Sequence, residues 1–194
     1  MRMAVELGCS VGRVVAELAH GADEVVGVDL HFGSLRRARK LVAGERVAYN
    51  RRVVGRAYRA ASVMGERLEG ASFICSDALD PPLVPGAFER VVALNLIDSV
   101  SRPRQLLNVI DGLCARGGEI IVSSPYAWQS SVMDEAERFG GDDPAAALVA
   151  RLREGIDLGA PYHIEDEAEV PWSLRRDARS CVSYRSHYVR ARKL

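Results

Sequence analysis

Between Val5 and Arg13 the chain reads Val-Glu-Leu-Gly-Cys-Ser-Val-Gly-Arg, an apolar run that meets two glycines and passes straight into a helical pattern. Few backbones satisfy that order. A buried strand must end in a turn tight enough to need residues without a Cβ, and a helix must begin on the far side. Gly8 and Gly12 let the backbone approach a ligand closely. Ser10 is expected at the helix N-cap, with amides aimed at the occupant of the turn. The next apolar run, beginning at Glu24, ends in Asp29. A glycine turn after one strand and a carboxylate at the tip of the next suit a ligand with a ribose between two polar ends.

Strands and helices alternate from there. Val11, Val14, Val15 and Leu18 mark one face of a first helix that Gly21 stops. Gly33 to Leu41 reads as a second helix, and Val47 to Leu68 is expected to continue it, giving a basic helical insert over about 40–70. Segments 71–75, 88–96 and 119–123 read as further strands. The middle one is apolar through its Val-Val-Ala-Leu centre and so covered on both faces. A helix from Ser101 or Pro103 turns Leu106, Leu107, Ile110 and Leu113 inward. Past Trp128 the pattern weakens to short helices over 134–139 and 145–153, a strand over 162–170, and a last strand over 181–190 at the sheet edge. This alternation predicts an α/β fold with a doubly wound, mostly parallel sheet, a Rossmann-like three-layer sandwich forming one domain over 1–194.

The 26 basic and 26 acidic residues balance, so no global field draws the chain to nucleic acid or to a membrane surface. Locally the balance fails. Ten basic residues from Arg36 to Arg67 are opposed only by Glu45 and Glu66. Such a segment suits a phosphate, a carboxylate substrate or RNA, or else a solvated helix whose arginine stems cover the core edge. The lack of interleaved aromatics disfavours a nucleic-acid platform. There is no stretch of about 18 apolar residues and no charged leader before an apolar block, so a cytoplasmic protein without membrane contact is expected. Cys9, Cys75, Cys114 and Cys181 form no C-x-x-C pair, and His20, His31, His163 and His187 share no ligand spacing, so no metal is expected. Cys75 and Cys114 read as small core residues.

In an open parallel sheet, ligands bind outside the carboxyl ends of the strands. Five strand ends here carry suitable residues: Gly8 to Gly12, Asp29, Asp77, Asn95 to Asp98, and Ser124 to Trp128. A dinucleotide site wants G-x-G-x-x-G, where this chain has Gly8, Ser10 and Arg13; two of three glycines fail, which disfavours a nicotinamide oxidoreductase. Asp77, at the tip of the strand over 71–75, suits the adenine amino group of a mononucleoside cofactor. Its competing role is a local Asp turn.

Together these residues resemble the class I S-adenosylmethionine-dependent methyltransferases, with Glu6 to Gly12 as the first motif and Ser10 in place of the family's middle glycine. The match runs from about Val5 to Ser124. It implies S-adenosyl-L-methionine as cofactor, with Gly8, Cys9 and Ser10 beneath the methionine part, Asp29 on the ribose hydroxyls, Asp77 and Ala78 flanking adenine, and Asn95 closing the site. Glu6, Gly12 and Leu30 complete the implied cofactor set. The phrases Leu94 to Asp98 and Ser123 to Trp128, with the arginine-rich terminal strand, also resemble the methyltransferase domain of ovothiol biosynthesis, the 4-mercaptohistidine N-methyltransferases. That group likewise carries a long insert between its second and third strands. The resemblance implies a small thiol-imidazole amino acid as methyl acceptor.

A sulfonium methyl is already activated, so the protein mainly has to align the nucleophile and exclude water. Asp98 and Tyr126 are the candidate catalytic residues, placed to orient an imidazole or amine or take its proton. Tyr126 and Trp128 are the candidate substrate wall. Their bland alternatives are a carboxylate capping the next turn and aromatics roofing the core. Members of this fold usually carry a helical segment before the first strand, which is not evident ahead of Val5; a second copy or a partner subunit is one way to complete that side. Two further readings stand beside the small-molecule one: a non-catalytic cofactor-binding partner, and an RNA methyltransferase using the basic insert.

Overall fold

The computed structural model describes residues 2–194. In chain order its elements are β1 (Met3–Leu7), α1 (Arg13–Ala19), β2 (Glu24–Asp29), α2 (Phe32–Val42), β3 (Arg46–Val54), β4 (Ala57–Met64), β5 (Ala71–Cys75), β6 (Phe88–Leu94), α3 (Pro103–Leu113), β7 (Cys114–Ser124), α4 (Pro144–Glu154), β8 (Tyr162–Arg175) and β9 (Cys181–Lys193). Seven strands form one sheet in the order β5-β2-β1-β6-β7-β9-β8. The first five of these run parallel. β9 and β8 close the far edge antiparallel.

Period-two burial splits the core into two layers. Val91 and Ala93 of β6 pack with Leu106, Leu107 and Ile110 of α3 and Leu148 and Leu152 of α4. Val92, between them, packs on the other face with Val15 and Leu18 of α1 and Leu35 of α2. Neighbouring side chains of a strand point to opposite faces, so a strand apolar at every position needs helices on both. The result is the expected three-layer sandwich. Strand order reverses between β1 and β6, and the crevice at that switch point is where ligands of such sheets bind.

The basic insert is a hairpin, not a helix. β3 and β4 pair antiparallel, as a sheet of their own. Val47, Tyr49, Val53, Val54, Tyr58 and Val63 are β-branched or aromatic residues that favour a pleated surface. A two-residue loop, Gly55-Arg56, joins the strands, with a positive φ at Gly55 alone (53°). That is the pattern of a II′ hairpin turn.

Other expectations shift as well. The strand over 181–190 does not lie at the edge: β9 sits between β7 and β8, its Val189 and Ala191 fully buried. The segment over 134–139 holds only a single 3-10 turn, Glu135–Glu137. Cys75 is exposed, whereas Cys9 and Cys114 are buried.

Two hairpins outrun the sheet. His187 of β9 stands opposite Ser124, the last residue of β7, so residues 170–175 and 181–186 rise beyond the strand ends. From the opposite edge, Arg46 to Ala48 of β3 border a cleft with Gly33, Arg36, Arg37 and Lys40 of α2. The remainder of β3 continues past the start of that helix. The tips meet, Ala178 N–H donating to Val53 O at 2.9 Å.

Candidate functional site

Glycines at both ends of the loop after β1 have positive φ, Gly8 and Gly12 each at 77°, and Ser10 between them is also left-handed at 48°. Ser10 is therefore not the N-cap. Gly12 takes that position, with no side-chain cap. A Cβ on Gly8 would stand 2.9 Å from Leu96 Cδ1, and one on Gly12 would stand 2.9 Å from Phe73 Cζ. The first distance shows how closely the end of β1 approaches the segment leaving β6.

The loop amides are largely committed within the protein, contrary to the expectation that they face the ligand. Gly8 and Cys9 N–H groups both donate to Val28 O, at 2.8 and 3.0 Å, and Gly12 N–H donates to Cys9 O at 2.8 Å. Ser10 N–H donates to Asp29 Oδ2 at 2.8 Å, while Asp29 Oδ1 accepts from His31 N–H at 2.7 Å. Asp29 thus joins the tips of β1 and β2. Each carboxylate oxygen has two acceptor sites, so both keep one for a hydroxyl. Leu30 beside it is exposed.

Beneath the loop, Glu6 is buried and its Oε2 accepts from Val15 N–H at 3.0 Å, in the first turn of α1. Burial pushes its carboxyl up to about 7; the Val15 bond opposes this and the nearby Asp29 charge adds to it. Cys9 points into the core, where a Cβ on Gly27 would meet its Sγ at 2.8 Å. Burial, then the Glu6 and Asp29 charges, push its thiol far above the ordinary range, so it stays protonated.

Asp77 Oδ1 accepts from Leu79 N–H at 2.9 Å, the local turn that was its competing role, and Ala78 is buried behind it. Oδ2 makes no hydrogen bond among the described residues. Asn95, at φ 52°, leaves β6 with Oδ1 accepting from Ser186 Oγ at 2.9 Å and Ser123 Oγ at 3.3 Å. That places β9 directly behind the switch point.

Asp98 and Tyr126 come together through the loop after β7. Asp98 is buried, its Oδ2 accepts from Ala127 N–H at 2.9 Å, and its Oδ1 is a buried oxygen without a partner. Burial raises its carboxyl above the ordinary value, with the Ala127 bond and the Ser124 and Ser99 hydroxyls pulling the other way. Tyr126 has φ 51°, and its hydroxyl lies 2.9 Å from His187 Nδ1. His187 Nε2 lies 3.1 Å from Glu167 Oε1. In the tautomer with Nε2–H donating to Glu167 Oε1, Nδ1 accepts a hydrogen bond from the Tyr126 hydroxyl, giving a Glu167–His187–Tyr126 chain. Burial raises the Tyr126 phenol well above its usual range, which favours its protonated form. Trp128 packs 5.8 Å from the Tyr126 ring and edge-on to Phe139. Sequence reading passed over His187 and Glu167. The signal was parity: 187, 189 and 191 share one face of β9, and all three are buried.

A glycine loop, an acid at the next strand tip and a reversed strand order form the arrangement at which doubly wound proteins bind nucleoside-bearing cofactors. Residues 5–122, well over half the chain, match the family model described as a methyltransferase domain. The chain belongs to that methyltransferase family. Solved structures of similar fold include an S-adenosylmethionine-dependent methyltransferase from Methanosarcina mazei, 13% identical over 99% of this chain and 92% of that one, with a TM-score of 0.64. A second, from Aquifex aeolicus, is also described as S-adenosylmethionine-dependent and is 12% identical over 100% and 82%, with a TM-score of 0.60. A third is the Haloferax volcanii complex between the Trm112 methyltransferase activator and a methyltransferase, 13% identical over 99% and 82%, with a TM-score of 0.65. These likenesses establish the fold. No curated protein matches the chain. Among the described residues, no helix is long and apolar enough to cross a membrane.

Proposed function

We propose that this enzyme methylates a small molecule held between the switch point and the two hairpins above it. The donor is S-adenosylmethionine, whose sulfonium supplies an activated methyl group. The match of residues 5–122 to the methyltransferase domain family carries the choice of cofactor. In the turn itself the Gly8, Cys9, Ser10 and Gly12 N–H groups are spent on Val28, Asp29 and Cys9, so its strand end offers a ligand backbone surface, on which a methionine chain can lie.

The remaining assignments follow from donor and acceptor capacity. Asp29 holds the ribose hydroxyls with its two spare acceptor sites, and Leu30 covers one face of the adenine. Asp77 Oδ2 accepts from the adenine amino group, with Ala78 alongside. Asn95 closes the site toward β9. Tyr126 and Trp128 border the acceptor, and the Tyr126 hydroxyl, oriented by His187, positions it. Asp98 acts as a positioning residue, holding the Ala127 amide and with it the loop that presents Tyr126. The ovothiol resemblance makes 4-mercaptohistidine the first acceptor to assay.

Calorimetry on the full chain tests the cofactor reading. S-adenosylmethionine and S-adenosylhomocysteine should bind with micromolar affinity, and Asp29→Asn should weaken both about tenfold, the worth of one charge-assisted hydrogen bond. Binding of nicotinamide dinucleotide in place of either would overturn it.

A further inference from the structure

The joint between the two hairpin tips is a cleft of about 450 Å³ bordered by Arg51, Arg52, Arg59, Arg175 and Arg176. Its one acid, Asp177, has Oδ1 occupied by the N–H groups of Arg179 and Ser180, both at 2.8 Å. None of the five arginines has a carboxylate within 4.0 Å among the described residues.

Register makes the cluster harder to dismiss as a solvated surface. Arg51 and Arg59 are direct cross-strand partners. Like charges facing one another across a ladder destabilise it, and a hairpin that only needed solubility would oppose them with acids. Both are exposed, on the face of the hairpin that also carries Val47 and Tyr49. On the other arm, Trp172 and Tyr184 are paired with ring centroids 5.0 Å apart. Tyr184 shares its face of β9 with Ser186, the residue bonded to Asn95 at the switch point.

We propose that the hairpin joint is an anion site, in which Arg51 and Arg59, with Arg175 and Arg176, hold a carboxylate or phosphate. Guanidinium forks suit either anion, since both accept paired N–H bonds. The inference goes beyond the methyl-transfer reading above and assigns a ligand class to the joint itself.

The test titrates the full chain, saturated with S-adenosylhomocysteine, with inorganic phosphate and separately with acetate, at constant ionic strength. Saturable binding of one anion per chain is expected, and whichever anion binds tighter identifies the source. Arg51→Gln/Arg59→Gln should weaken it at least tenfold, Arg51→Lys/Arg59→Lys should retain it, and Arg36→Gln/Arg37→Gln, an equal charge change on α2, should leave it unaltered. Wild-type affinity in Arg51→Gln/Arg59→Gln, or an equal loss in Arg36→Gln/Arg37→Gln, overturns the proposal. So does single-stranded RNA binding far tighter than phosphate with a steep salt dependence, which marks a polyanion surface instead. Loss of S-adenosylhomocysteine binding by the wild type would sink the cofactor reading by itself, whereas retained cofactor binding without an anion site sinks only this one.

Discussion

Glu6 is a buried carboxylate under the cofactor loop, and replacing it with glutamine isolates what its charge costs. Its folded-state value is about 7 against 4.5 unperturbed, with burial the leading cause. An acid whose value is raised on folding binds more protons in the native state than in the unfolded one between those limits. Stability is then greatest below pH 4.5 and is lost as pH rises through about 7. At about 1.4 kcal/mol per unit, the shift corresponds to roughly 3 kcal/mol. Glu6→Gln keeps an acceptor for Val15 N–H but cannot ionise. Urea denaturation of both proteins at intervals from pH 4.5 to 8 gives the stability difference. The variant should gain on the wild type by roughly 3 kcal/mol across that range, most of it before pH 7.5. Asp98 and every other titrating group are common to both proteins and cancel. A difference that stays flat with pH would refute the reasoning, because it would mean that the carboxyl is hydrated or already compensated.

Gly12→Ala must place a Cβ at φ 77° against the Phe73 ring, so it should destabilise by about 2 kcal/mol and lower Tm by roughly 4–8 °C; a change under one degree would contradict the geometry. Tyr126→Phe removes the hydroxyl from His187 and should slow turnover about tenfold while the S-adenosylhomocysteine Kd stays within twofold. Asp98→Ala frees the Ala127 amide and should cost turnover tenfold or more, again with cofactor affinity nearly intact; equal loss of cofactor binding would remove it from the acceptor side.

The geometry of the proposed donor half was legible because it is built from short stretches at successive strand ends. Glu6 to Gly12, Asp29 and Asp77 occupy strand ends that hydrophobic runs locate on their own, and the structure ties Ser10 directly to Asp29. The use of the loop amides was not legible, since their partner Val28 O belongs to the neighbouring strand. The hairpin over 46–64 was misread as helix because arginines are good helix formers and their charges suggested a solvated face. Alternating valines and tyrosines around Gly55-Arg56 were the better signal, since a two-residue glycine loop between such runs specifies a turn. His187 and Glu167 escaped for a different reason. Their link to Tyr126 spans 61 residues in one step and 20 in the next, and no local pattern reports a contact of that kind.

This difference in legibility follows from how the two halves of the reaction are housed. The proposed donor site needs one turn and two strand-tip acids, so its specification is short and local. The proposed acceptor space draws on elements from opposite edges, β3–β4 and β8–β9, joined by the hydrogen bond from Ala178 to Val53. Either hairpin alone is an exposed two-stranded arm, marginal in water without its neighbours. Their contact brings Arg51 and Arg59 of one arm beside Arg175 and Arg176 of the other. An arm free to change its charges and aromatics without disturbing the sheet can alter the acceptor while leaving donor binding intact. Substitutions in β3–β4 should therefore move KM for the acceptor, and those in the Gly8 to Gly12 loop should move cofactor Kd, with little crossover between the two.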